Sequence, residues 1–159
     1  MMTTPDQLHV ARSQFIDAFA SVETAICNLI RVNGSGAKPE LLALKLKALK
    51  EIEPSSQYSK AKRAEVLKVL EDFESYLAIR ADIVHGTLQV LEIDGSPAAT
   101  FINAKTAREI APAQRIIDPK LFGTMTTALT KIARQLSKSP EINLASSPLP
   151  PSPAAAGGP

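Results

Sequence analysis

Between Ser59 and Gly86 the chain carries a stripe of Val66, Leu70, Phe73, Leu77, Arg80 and Val84, whose members fall three or four residues apart. That spacing returns side chains to one face of an α-helix, whereas a strand alternates its faces at every residue. The stripe predicts one long helix from Ser59 to His85, with Gly86 placed to end it. One member is out of character. Arg80 occupies a place on the apolar face, and a guanidinium rarely enters such a face unless it is paired or lies at an interface.

The same period recurs on either side. Thr4-Pro5-Asp6-Gln7 combines a capping Thr, a Pro at the first helical position and a Gln three residues after the Thr, which resembles a capping box. Leu8, Phe15, Phe19, Val22, Ile26, Leu29 and Ile30 follow, and Asn33-Gly34-Ser35-Gly36 closes this first helix. Pro39 opens a second, whose face of Leu41, Leu42, Leu44, Leu46, Leu49 and Ile52 is interleaved with Lys45, Lys47 and Lys50. After Gly86 the pattern changes. Leu88–Ile93 and Ala99–Asn103 flank Asp94-Gly95-Ser96-Pro97 and predict a short β-hairpin with a turn longer than two residues, followed by an irregular loop containing Pro112. Asp118-Pro119 caps a last helix with a buried face of Leu121, Met125, Ala128 or Leu129, Ile132 and Leu136. The expected fold is all-α, a bundle of about four helices with a short β-hairpin inserted before the last. Residues 1–137 form the expected domain. Residues 138–159 are rich in Pro, Ser and Ala and read as a disordered tail.

Composition excludes several classes. A chain of 159 residues suits one domain with its own core. A single cysteine, Cys27, rules out a disulfide framework and a Cys-rich zinc site, and two histidines, His9 and His85, build no metal cluster. Neither a metal nor a cofactor is expected. Cys27, beside Ile26, reads as a small buried hydrophobe, and His9 as a surface residue. Eighteen basic against sixteen acidic residues is too close to balance to announce a nucleic-acid binder by bulk charge. No apolar run reaches the roughly 18 residues of a membrane span, and the first residues lack the basic and apolar regions of a secretion signal. A cytoplasmic protein with no membrane partner is the expectation. Nucleophile elbows, phosphate loops, dinucleotide fingerprints, zinc-protease helices and calcium loops are all missing from the sequence.

What remains is Arg80-Ala81-Asp82-Ile83-Val84-His85-Gly86. At about 100° per residue, Arg80 and His85 stand roughly 140° apart and about 7.5 Å along the axis, so they share no face. A partner helix could still unite them, and Ala78 and Ala81 leave room for its approach. Asp82 offers to orient His85 or to pair with Arg80. Upstream, Lys60, Lys62 and Arg63 begin the same helix within a stretch, residues 38–68, that has eight basic and four acidic residues. A phosphate backbone could use such a cluster. A solvated helix face is the plainer account.

Arginine, four intervening residues, then histidine and glycine at a helix end resembles the motif of the HEPN family, the higher eukaryote and prokaryote nucleotide-binding domain. The resemblance implies a small helical bundle that dimerises across the motif helices, so a homodimer is expected. It implies a metal-independent endoribonuclease, of the kind found in toxin–antitoxin and phage-defence systems, with an antitoxin or other protein as partner. Arg80 would hold the scissile phosphate, and His85 would move a proton as the RNA 2′-hydroxyl attacks. Asp82 would support them, and Lys60, Lys62 and Arg63 would bind nucleic acid. Ala81 departs from the polar residue, often Asn, that follows the arginine in the family. The alternative within the resemblance is a catalytically inactive nucleotide-binding or protein-interaction module. Outside it stands a helical adaptor that offers Pro148-Leu149-Pro150-Pro151-Ser152-Pro153 as a polyproline ligand.

Overall fold

The computed structural model describes residues 5–34, 40–103 and 114–138. The capping Thr4, the helix-opening Pro39 and the Pro-rich tail from residue 139 onward lie outside the described residues. Five helices, α1 (Pro5–Asn33), α2 (Leu42–Glu51), α3 (Lys60–Glu74), α4 (Leu77–His85) and α5 (Pro119–Ser137), accompany three strands, β1 (Gly86–Ile93), β2 (Ser96–Asn103) and β3 (Gln114–Ile117). The protein is mostly helical, with a small antiparallel sheet in the order β1-β2-β3.

Local chemistry explains several boundaries. The Ser59 side chain accepts from Lys62 N–H at the start of α3. Asp118 does the same for Leu121 N–H at 2.7 Å, ahead of Pro119 in the first turn of α5. The hairpin turns on two residues rather than the longer loop expected. Asp94 and Gly95 both take positive φ, 51° and 75°, as a tight turn between right-twisted strands requires. The segment expected as irregular loop contains β3, which pairs Ala99 with Ile117 through Ile102 with Gln114 on β2.

The long helix expected from Ser59 to His85 is broken. Ser75 Oγ donates to Asp72 O at 2.7 Å, and Tyr76 N–H turns back to Phe73 O at 3.0 Å. Such short-range bonds compete with the regular helical ladder. The ladder resumes with Arg80 N–H donating to Tyr76 O. The break changes the buried face. Val66, Leu70 and Phe73 are buried in α3, but in α4 the buried residue is Ile83, while Leu77, Arg80 and Val84 are half-buried. In α5 the inward residue of the first turn is Phe122, and the expected Leu121 is 43% exposed.

α1 packs chiefly against α5 and forms the spine of the core. All five phenylalanines of the chain join in one file. Phe101 meets Phe122 at 6.2 Å, Phe122 meets Phe15 at 6.4 Å, Phe15 meets Phe19 at 6.4 Å, and Phe19 meets Phe73 at 4.7 Å. These centroid separations span the range in which aromatic pairs attract, and each ring buried adds about 2 kcal/mol. The file ties β2, α5, α1 and α3 together, and two arginines lie over it.

Candidate functional site

The first of those arginines is Arg12, on α1. Its guanidinium donates to Ile83 O through Nε at 3.1 Å and Nη2 at 2.7 Å, reaches Gly86 O at 3.5 Å, and lies 5.7 Å from the Phe101 ring centroid. A helix leaves its last carbonyls without intrahelical partners. Arg12 supplies a cation there for α4, directly beside the candidate histidine. The sequence pattern gives no hint of this, because the partner oxygen belongs to a residue 71 positions away.

The second is Arg80. Its guanidinium lies 5.5 Å from the Phe19 ring centroid. It has no carboxylate partner among the described residues. Phe19 lies seven residues after Arg12 on α1, whereas Arg80 precedes Ile83 on α4, so the two helices run antiparallel where they meet. Cation and ring attract by about 0.5–2 kcal/mol, according to how dry the contact is. The ring restrains the guanidinium without neutralising it.

Asp82 serves neither motif residue. Its carboxylate accepts from Arg115 Nε at 2.7 Å and from Asn103 Nδ2 at 3.2 Å. It fastens α4 to β3 and to the end of β2. The sequence-based options, orienting His85 or pairing with Arg80, are both replaced by this tie. The carboxylate two residues from Arg80 is thereby already used.

His85 is exposed and is the last residue of α4. Gly86, the first residue of β1, caps the helix with extended backbone, φ −84° and ψ 147°, and its N–H returns to Asp82 O. The need for glycine here is space rather than backbone conformation. A Cβ would collide with Asp82 O and would stand 3.1 Å from Phe101 Cβ.

The basic cluster at the start of α3 divides into different jobs. Arg63 donates to Ile52 O and Lys50 O, both at 3.0 Å, and so caps the carboxyl end of α2. Lys62 reaches Gln135 O at 3.5 Å and Glu65 at 3.6 Å. Lys60 is exposed. His9 is exposed as expected, and Cys27 is half-buried. Lys45 is held above its ordinary value first by its hydrogen bond to Glu23, against a smaller opposing effect of burial.

Among the described residues no helix is long and apolar enough to cross a membrane. No group of three or more His, Cys, Asp or Glu side chains stands ready for a metal ion there. No protein-family model, curated protein or solved structure matches the chain.

Proposed function

We propose that the protein is a HEPN-like, metal-independent endoribonuclease in which Arg80 binds the scissile phosphate and His85 transfers a proton. The observation that carries this reading is the state of Arg80, a half-buried guanidinium braced on Phe19 while the neighbouring Asp82 is engaged by Arg115 and Asn103. A cation held in place and, among the described residues, left without a carboxylate suits a phosphodiester. In the reaction the RNA 2′-oxygen forms a bond to phosphorus, and the bond from phosphorus to the 5′-oxygen breaks. The proton leaves the 2′-hydroxyl for an imidazole and returns, from an imidazole, to the departing 5′-oxygen. The products are a 2′,3′-cyclic phosphate and a 5′-hydroxyl. Arg80 and His85 lie far apart around α4, so the composite site needs two copies, with the small side chains of Ala78 and Ala81 allowing close approach.

The test is cleavage of single-stranded RNA by the full chain in EDTA. Arg80→Ala and His85→Ala should each lower the rate by about 100-fold or more, the usual scale for removing a general acid–base or charge-stabilising group, with the circular dichroism spectrum unchanged. Full cleavage in either variant overturns the assigned roles. The angular separation within one copy favours a second reading, a catalytically inactive module in which Arg80 alone holds a nucleotide phosphate. That reading gains if intact protein binds RNA through Arg80 and leaves it uncut.

A further inference from the structure

β1 is an edge strand of the sheet, and it carries none of the devices that keep edges apart. Exposed edges are commonly blunted by lysine, proline, a bulge or a short length. β1 runs for eight residues, contains no basic residue and no proline, and pairs with β2 without a bulge. Val90, Leu91 and Ile93 are exposed on it. The opposite edge, β3, is only four residues long and includes Arg115.

Which backbone groups face outward follows from the turn. In a two-residue hairpin the residues flanking the turn, here Ile93 and Ser96, exchange hydrogen bonds, and the pattern alternates along the strand. Thr87, Gln89, Leu91 and Ile93 are therefore spent on β2, whereas Gly86, Leu88, Val90 and Glu92 turn their N–H and C=O outward. Gly86 agrees with this: its N–H returns to Asp82 O, and its own oxygen accepts from Arg12. Leu88, Val90 and Glu92 have no partner for these outward groups among the described residues.

Arg12 marks one end of this edge. Its Nε and Nη2 are spent on Ile83 O and Gly86 O, and Nη1 makes no hydrogen bond among the described residues. At the other end stand Glu92 and Asp94, both exposed and in no ion pair among the described residues. The edge is positive at its start, apolar in its middle and negative at its tip. Turned end over end, it is complementary to itself.

We infer that a second copy of this chain pairs with β1 antiparallel about Val90, so that two three-stranded sheets join into one of six strands. In that register Val90 faces the partner's Val90, and Leu88 faces the partner's Glu92, each pair exchanging two backbone hydrogen bonds. All three outward residues are then satisfied. A shift by two residues either way would leave one of them facing Gly86, already spent, or the turn. Glu92 and Asp94 arrive beside the partner's Arg12, and the two-fold repeats that meeting at the other end. This match of charge at both ends selects a second copy over an unrelated strand. Ala78 and Ala81 lie outside the surface, so the inference does not rest on the endoribonuclease reading.

Sedimentation velocity of the full chain should show mostly dimer at about 100 μM, the affinity range of a small interface. Isotope-filtered NMR on an equal mixture of labelled and unlabelled chains should find the α-protons of Gln89 and Leu91 close between copies, the mark of this register. Val90→Lys sets two ammonium groups opposite each other, and Val90→Pro removes the two central hydrogen bonds without touching the β1–β2 ladder. Each should weaken association by about ten-fold or more, with the circular dichroism spectrum unchanged. Val90→Lys carries the test if the proline variant does not fold. Glu92→Lys should weaken association several-fold, because it turns an attraction to Arg12 into a repulsion. A monomer at the stated concentration overturns the inference. So does a dimer whose affinity is unchanged in folded Val90→Lys, or one whose contacts between copies are confined to α4.

Discussion

At the α2–α3 junction Arg63 gives its guanidinium to two backbone oxygens, whereas in α4 Arg80 rests on a phenyl ring and meets no carboxylate among the described residues. Both are half-buried arginines on helices. Charge and burial alone do not distinguish them. What separates them is how many hydrogen-bond donors are already spent. Arg63 and Arg12 neutralise helix ends and belong to the framework. Among the described residues Arg80 keeps its donors unspent, and on that difference the functional reading rests.

The contrast can be broken by stability measurements. The largest effect belongs to Arg63→Ala, which strands two carbonyls at the end of α2 and should cost about 2–3 kcal/mol in denaturant unfolding. A loss below 0.5 kcal/mol, to order of magnitude, would mean that these bonds add nothing beyond hydration. Next comes Asp82→Asn. It removes a part-exposed ion pair with Arg115 and should cost about 1 kcal/mol. The accompanying sign is faster hydrogen exchange in β3, and unaltered exchange there would show that the tie does not hold the strand. Smallest is Arg80→Met, which keeps the aliphatic packing and forfeits the ring contact. It should change stability by less than about 1 kcal/mol while abolishing RNA cleavage. A stability loss as large as that of Arg63→Ala would place Arg80 in the framework and remove the contrast.

The parts that sequence made legible are those decided within a few residues. Ser59 and Asp118 announce helix starts because a capping side chain reaches a backbone N–H three positions on. The α1 and α5 stripes are legible because their period continues without interruption. The α3–α4 break escaped because Leu77, Arg80 and Val84 continue the three-and-four spacing across Ser75 and Tyr76, where two short-range hydrogen bonds outweigh the pattern. β3 escaped because four residues after a proline-containing segment carry little alternation of their own, and its partner β2 supplies the reason for it to be a strand. At the candidate site Arg80 and His85 stand out locally. The fate of Asp82 depends on Asn103 and Arg115, 21 and 33 residues away, which no short window contains.

The passage from α4 to β1 takes place at a single peptide bond, His85 to Gly86, with no spacer residue. Helix and ribbon therefore share no loop in which a change of direction could be absorbed, and Arg12, bonded to Ile83 O and Gly86 O, brackets the elbow from both sides.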